Sequence, residues 1–345
     1  MPLLAIETSC DETCAAVFEE GRLLSNVVAS QEIHRKYGGV VPELASRAHL
    51  QHIAIVVKDA LIQAGVEPRQ LSAVAATYGP GLVGSLLVGL NFAKGMALDL
   101  NIPLIAINHL EGHLFSNNIG PEGPEPPFLS LILSGGHSIL TYVQDWGQYE
   151  ILGETQDDAA GEAFDKVARV LGLPYPGGPQ IEKIARQGNP DAIAFPMAKL
   201  KDAPFDFSFS GLKTAVLYRA QKDLKPDSGD SREAVAHIAA SFQKALIGAI
   251  VRTASRAHKR FPVNSLSLAG GVACNKPLRQ ALSELGDELG FQVFFPDPIY
   301  CTDNAAMIGR AAWHYLATVP HLSDRDAAIS ITAQPGLRLS NTKMT

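Results

Sequence analysis

Apolar positions alternate in short runs at the start of the chain, then recur at helical spacing, and the same switch happens again from residue 128 onward. In "LLAIETSCDETCAAVFEEGRLLSNVVAS" the runs 3–8, 13–19 and 22–29 predict three strands, separated by a polar turn through Ser9-Cys10-Asp11-Glu12 and by a Glu-Gly turn. From 42 to 64, Leu44, Ala48, Ile55, Val56, Ala60 and Leu61 recur near helical spacing, and Gly65 closes the pattern. Strand 72–77, helix 83–100 and strand 103–108 follow, each punctuated by Gly or Pro.

The second half opens on "FLSLILSGGHSILTYVQDWGQYEILGET", again three strands, with turns at Ser-Gly-Gly and at Asp145-Trp146-Gly147. Helix 159–171, a long helix 233–260, strand "SLSLAG", helix 276–289 and strand "QVFFP" complete it. The order strand-strand-strand-helix-strand-helix-strand thus occurs twice, which predicts a duplicated α/β architecture of two similar lobes with a cleft between them. The expected lobes are 1–108 with 303–320, and 109–302 carrying a Pro- and Gly-rich insertion over 173–230; residues 321–345 form a tail.

With 345 residues, 46% hydrophobic and 19% charged, the chain has apolar material for two packed lobes and no compositional sign of disorder. The start "MPLLAIETSCDET" meets acids too early for a signal peptide. The longest apolar run, "LVGSLLVGL", is far short of the roughly 20 residues of a spanning helix, so the expectation is a soluble, cytoplasmic protein with no membrane partner. Four scattered cysteines, Cys10, Cys14, Cys274 and Cys301, read as reduced thiols. A net charge of −6 excludes nucleic-acid binding driven by the whole surface, so any such contact needs a local patch or a partner. Candidate patches are "IHRK" (33–36), "RTASRAHKR" (252–260), and Lys199, Lys201, Lys213, Arg219 and Lys222 in and beside the insertion.

Polar or glycine-rich turns recur at equivalent places. Ser9 to Glu12 is matched by Ser134-Gly135-Gly136, and "LAGGVACN" (268–275) follows a later strand. Amides at such turns can cradle an anion, and glycine lets a phosphate approach without a Cβ clash, so the recurrence points to a nucleotide site. "GPGLVG" gives Gly79-x-Gly81-x-x-Gly84 between a strand and a helix, as the dinucleotide fingerprint does. It lacks the acidic residue at the end of the next strand, which instead ends in Asn108-His109.

His109 and His113 stand at i and i+4 and share a helix face, so both imidazoles can meet one metal ion. The zinc-protease helix places its glutamate second, in His-Glu-x-x-His. Here the second residue is Leu110, and Glu111 lies about 200° around the helix from His109, away from the metal face. The spacing fits a metal pair, or two hydrogen-bonded helix histidines, better than a protease.

Taken in order, "ETSCDET", "GGVVPELASRAH", "GPGLVGSL", "NHLEGH", "LSGGH", "DDAAGEAFDKVARVLGL" with "YPGGP", "FSFSGLKTA", "AGGVACN" and "CTDNAAMIG" resemble the tRNA N6-adenosine threonylcarbamoyltransferase (TsaD) family over about residues 3–317. The resemblance implies a duplicated actin/hexokinase-like (RNase H-like) fold. It also implies transfer of a threonylcarbamoyl group from threonylcarbamoyl-AMP to the exocyclic amine of the adenosine beside the anticodon of tRNA, with release of AMP. The alternatives are a zinc metalloprotease, the family's older glycoprotease label, and a non-catalytic nucleotide-binding scaffold.

Carried over residue by residue, the resemblance implies metal ligands at His109, His113 and Asp303, holding one divalent ion per chain, Fe(II) in preference to Zn(II). It implies nucleotide and acyl binding at Ile132, Leu133, Ser134, Gly135, Gly136, Asp165, Gly178 and Asn275. Asn275 also reads as a plain helix N-cap, and Asp165 with Glu162 as a solvated acidic face. Asp11 or Glu12, at the first hairpin tip, is expected to act as base or to position the amine, and reads equally as a turn residue. The implied partners are tRNA, an inactive paralogue (TsaB) docked on the first-lobe helices near Leu44, Ala45 and Ala48, and a small P-loop ATPase (TsaE).

Overall fold

The computed structural model describes residues 1–198, 200–224, 231–318 and 330–339. They divide into two compact units, one of 1–123 with the chain from 302 on, the other of 124–301.

The first unit starts with a meander, β1 (Pro2–Glu7), β2 (Glu12–Glu19) and β3 (Arg22–Ser30), followed by α1 (Pro42–Ala64), β4 (Ala73–Gly79), α2 (Val83–Leu100), β5 (Leu104–Asn108) and α3 (His109–Phe115). Its sheet runs β3-β2-β1-β4-β5, antiparallel within the meander and parallel from β1 through β4 to β5. Every residue of β1 is buried, because both sheet faces are covered. Leu4 and Ile6 pack with Val17 against Ile53, Val57 and Ala60 of α1 and Leu90 and Ala93 of α2. α1 begins with Pro42 in its first turn and ends where Gly65 adopts φ +67°, a left-handed stop that side chains disfavour.

The second unit repeats the plan with β6 (Phe128–Leu133), β7 (Ser138–Asp145) and β8 (Gln148–Glu154), then α4 (Ala160–Val170), α5 (Gly177–Ala185), α6 (Ser210–Asp223), α7 (Ser231–Arg260), β9 (Ser265–Ala269), α8 (Lys276–Leu289) and β10 (Gln292–Phe294). Its sheet order, β8-β7-β6-β9-β10, is the first unit's order strand for strand. The expected duplication is therefore present in topology as well as in element order. The insertion is not mere loop: it carries α5 and α6, and Ile181, Leu212 and Val216 bury into the core beside Phe164 and Phe242. Asp157 fixes α6, its carboxylate accepting from Ser208 Oγ at 2.6 Å and from the amide N–H groups of Phe209 and Ser210 at 2.8 and 3.1 Å.

Helix α9 (Ala305–Thr318) returns to the first unit and covers the other face of its sheet, with Gly309 lying against Phe18 and Ala5. α3 packs on α9, with Gly112 so close to Ile308 and Met307 that a Cβ would collide. The compact units consequently divide after Gly123 rather than at 108/109, the boundary drawn from the sequence. Of the expected tail, residues 330–339 are described. Gln334 N donates to Tyr78 O at 2.7 Å, Gly81 N to Pro335 O at 3.2 Å and Asn108 Nδ2 to Arg338 O at 3.0 Å.

Among the described residues two helices, Val83–Leu100 and Arg232–Arg260, are long and apolar enough to cross a bilayer by length and composition. Of the first, 33% is buried, with Leu90, Ala93 and Ala97 in its unit's core, and of the second 61%, with Ile238, Phe242, Leu246 and Ile250 in the core of the other.

Candidate metal centre

α3 starts where β5 ends, and Asn108 caps it, its Oδ1 accepting from Leu110 N at 2.9 Å. The i, i+4 spacing then brings the His109 and His113 rings to 4.8 Å between centroids. Asp303 arrives from the loop before α9, which Asn304 fixes by accepting from Met307 N at 3.0 Å and donating to Thr302 O at 2.7 Å. Asp303 Oδ1 lies 3.5 Å from His109 Nε2 and 3.3 Å from His113 Nε2. One ligand atom from each residue falls within 4.8 Å of the others.

The chemistry of the set fits a metal ion. His113 is fully buried, yet neither ring nitrogen has a hydrogen bond. An orphaned buried imidazole is costly unless something binds it. His109 turns its Nδ1 to Glu7 Oε2 at 3.0 Å and to Ser9 Oγ at 3.1 Å, which leaves Nε2 toward Asp303. A carboxylate behind a ligating histidine sets ring orientation and raises its basicity. Glu7 is itself held, by Thr77 Oγ1 at 2.6 Å and by the Ser9 amide.

The electrostatics agree. Burial pulls His109 down, but the charges of Asp303 and Glu7 and the Glu7 hydrogen bond outweigh it and raise the imidazole to about 9. Glu7 is pushed up by burial and brought below its usual range by His109. Glu12 is pushed up to about 9 by burial and by the charges of Asp11 and Asp303. The centre is thus rich in carboxyl groups and draws in positive charge, which a divalent cation supplies.

Asp11 and Glu12 sit in the same unit, at the tip between β1 and β2. That tip is braced by His49 of α1, whose Nδ1 accepts from Thr13 Oγ1 at 2.8 Å and whose Nε2 donates to Cys10 O at 3.0 Å. Burial holds the His49 imidazole below its usual pKa. Glu111 does point away from the metal ligands and is buried, accepting from the Tyr315 hydroxyl of α9. The three glycines of "GPGLVG" are packing positions, since Cβ atoms there would strike Gln334 O, Ser9 O and Ser46 Oγ, and the chain itself fills the space a dinucleotide would need.

The remaining residues belong to the second unit. Ile132 and Leu133 end β6, and Ser134 to His137 form the turn, closed by Ser134 N to His137 O at 2.8 Å. The amides of Gly136 and His137 donate to Ser134 Oγ at 3.3 and 3.0 Å, so the turn is a compact loop whose hydroxyl takes up two amides expected to face an anion. No atom lies within 4 Å of where a Cβ would stand on Gly135, Gly136 or Gly178, leaving their backbones open to a ligand. Gly161 of α4 and Gly270 press on the other side, against Ser134 O and Leu133 O. Asp165 accepts from Gly177 N at 2.6 Å, tying α4 to the start of α5, and burial raises its pKa. Asn275 caps α8, accepting from Leu278 N at 3.0 Å, while its Nδ2 donates to Gln243 Oε1 at 3.0 Å.

Among the expected basic contacts, Lys213 is held by Asp158 at 2.6 Å and Arg219 pairs with Asp223. Lys199 and the side chains of Arg35 and Lys36 lie outside the described residues. Glu7, His49 and Tyr315 are the functional and supporting residues that sequence reasoning missed. A single acid ending an all-apolar strand, as in "LLAIE", is the signal that marked Glu7.

Solved structures share this fold. HypF of T. kodakarensis aligns with TM-score 0.61 and 15% identity over 92% of this chain and 47% of its own. The ROK hexokinase of Thermus thermophilus aligns with TM-score 0.51 and 14% identity over 92% of this chain and all of its own. Curated relatives named tRNA N6-adenosine threonylcarbamoyltransferase are far closer in sequence. That of Clostridium perfringens is 52% identical over 340 residues, 98% of both chains, and that of Clostridium kluyveri 50% over 341 residues, 98% of this chain and 97% of its own. The TsaD family model, described as tRNA N6-adenosine threonylcarbamoyltransferase, matches residues 22–310. With that match across most of its length and relatives at half identity over nearly all of it, the chain belongs to the TsaD family of tRNA N6-adenosine threonylcarbamoyltransferases.

Proposed function

We propose that this transferase moves a threonylcarbamoyl group from threonylcarbamoyl-AMP to the N6 amine of the adenosine beside the anticodon, releasing AMP, in the cytoplasm. The observation that carries the reading is the near-complete coverage of the chain by relatives bearing that activity. The fully buried, unbonded His113 beside His109 and Asp303 supports metal assistance.

In this reading His109, His113 and Asp303 hold one divalent ion, Fe(II) in preference to Zn(II), since two histidines and a carboxylate leave positions open. When bound, the ion would supply Lewis acidity for the transfer. Glu7 keeps the His109 ring in register. The open backbones of Gly135, Gly136 and Gly178, with Asp165 and Asn275 bracing the segments around them, bind the adenylate. The adenosine amine attacks the carbamoyl carbon, the bond from that carbon to the phosphate oxygen breaks, and AMP leaves with the electron pair. Glu12, whose pKa is raised by burial and by the neighbouring charges, Asp11 first, positions Asp11 beside it. Asp11 then takes the proton the amine loses.

The paralogue TsaB docks on the outer face of α1 and α2, where Leu50, Ile55, Ile62 and Leu87 are exposed. Of the residues first expected at this face, Ala45 is buried and Leu44 and Ala48 are half-buried. TsaE completes the system.

Nucleoside mass spectrometry of unmodified tRNA, incubated with threonylcarbamoyl-AMP, this chain and its partners, tests the reading. Threonylcarbamoyladenosine that forms only when this chain is present is the expected result; formation without it would refute the reading.

A further inference from the structure

Two thiols of the second unit have no part in the chemistry above. Cys274 ends the short turn Gly271–Cys274 and is exposed, whereas Cys301 follows the turn Pro298–Tyr300 and is buried. Both sulfurs lie on the same turn, Cys274 Sγ donating to Pro298 O at 3.8 Å and Cys301 Sγ to Pro296 O at 3.7 Å and Asp297 O at 3.6 Å, and neither is in a disulfide. Arg279 of α8 fixes both segments at once. Its Nε donates to Ala273 O, and its Nη2 donates to Pro296 O at 2.8 Å and to Cys301 Sγ at 3.2 Å, with the guanidinium over the Phe295 ring at 5.2 Å. A single rigid side chain therefore holds the sulfur-bearing turns side by side before any reaction.

We propose that Cys274 and Cys301 form a peroxide-responsive thiol pair that closes to an intramolecular disulfide. The Cys274 thiolate attacks one oxygen of hydrogen peroxide, the O–O bond breaks, and sulfenic acid and hydroxide form. The Cys301 sulfur then attacks the Cys274 sulfur and displaces hydroxide, which takes up the thiol proton as water. Two thiols and one peroxide give one disulfide and two waters. The exposed sulfur meets the oxidant and the buried one resolves it.

The other cysteines offer a built-in contrast. The neighbouring Cys301 and, against burial, the charge of Arg279 lower the Cys274 thiol below its usual range, which favours the thiolate at the exposed sulfur. Cys14 is buried and Cys10 only partly exposed, so neither meets an oxidant as the exposed Cys274 does. The disulfide would tie the turn leading into Asn275 to the chain at 301.

The full-length reduced protein is treated with a small excess of hydrogen peroxide, free thiols are blocked, and a non-reducing digest is read by mass spectrometry. The expected product has lost about 2 Da and yields a Cys274–Cys301 cross-linked peptide that a dithiol reverses. Cys301→Ser should accumulate a dimedone-reactive sulfenic acid at Cys274. Cys274→Ser, at an exposed position, should leave Cys301 unoxidised under the same treatment. Absence of the cross-link in the unaltered chain, oxidation reaching Cys10 or Cys14 first, or undiminished oxidation of Cys301 in Cys274→Ser would overturn the proposal.

Discussion

Glu7 and His109 stand 102 residues apart in the chain and meet at 3.0 Å, Glu7 Oε2 on His109 Nδ1, with both side chains buried. The contact joins the end of β1 to the start of α3 and fixes which imidazole nitrogen faces Asp303. Glu7→Gln keeps the shape and removes the charge. It should weaken metal binding by about 10- to 100-fold while leaving the stoichiometry at saturation unchanged. Competition against a chelator of known affinity checks this, and an unaltered affinity would show that Glu7 serves only the fold.

Tyr315 and Glu111 make the complementary contact on the far side of α3. Tyr315→Phe should cost about 1–3 kcal/mol in denaturant unfolding, because a buried carboxylate loses its donor, and should leave metal content intact. Loss of metal without loss of stability would place Glu111 in the metal centre, as the protease reading requires.

Ile55 is 58% exposed on α1. Ile55→Glu should weaken the heterodimer with the paralogue at least tenfold and shift unfolding by no more than about 0.5 kcal/mol, the usual range for an exposed position. Sedimentation of the mixed proteins and a denaturant titration of the variant alone separate the two effects; normal pairing would exclude this face.

Asp158 accepts from Lys166 and Lys213, each at 2.6 Å, and joins α4 to α6 of the insertion. Burial raises its pKa, but the two lysines outweigh this and bring it below the usual 3.8. A carboxyl depressed in the native state contributes stability above its unfolded pKa and loses it as pH falls through the native one. Asp158→Asn should therefore cost about 1–3 kcal/mol at pH 7, with the difference from the unaltered protein shrinking below about pH 4. A difference independent of pH would mean that the lysine pairs contribute nothing.

The strands and the long helices were legible because each has a clean period and a Gly or Pro stop, as at Gly65. α5 and α6 were not, because "YPGGP" and "FSFSGLK" read as loop, and the cap on α6 comes from Asp157, 52 residues before Phe209. His109 and His113 could be paired from spacing alone, whereas Asp303 needed the family resemblance and Glu7 needed the register of β1. Segment 330–339 has no apolar period, and its place beside Tyr78 and Asn108 rests on backbone hydrogen bonds. Asn275 was readable as cap or ligand and Asp165 as ligand or solvated acidic face; in the fold Asn275 caps α8, and Asp165 accepts from Gly177 N.

The central claim is metal-assisted transfer from an adenylate, and a single-turnover assay reaches it most directly. Preformed threonylcarbamoyl-AMP and unmodified tRNA are mixed with this chain and its paralogue without ATP, and modified adenosine is quantified for the unaltered protein and for Asp303→Ala. The account predicts one turnover without ATP and a loss of at least about 100-fold in Asp303→Ala, on the order of 3 kcal/mol of transition-state stabilisation. An absolute requirement for ATP in that first turnover, or full activity in Asp303→Ala, would contradict it.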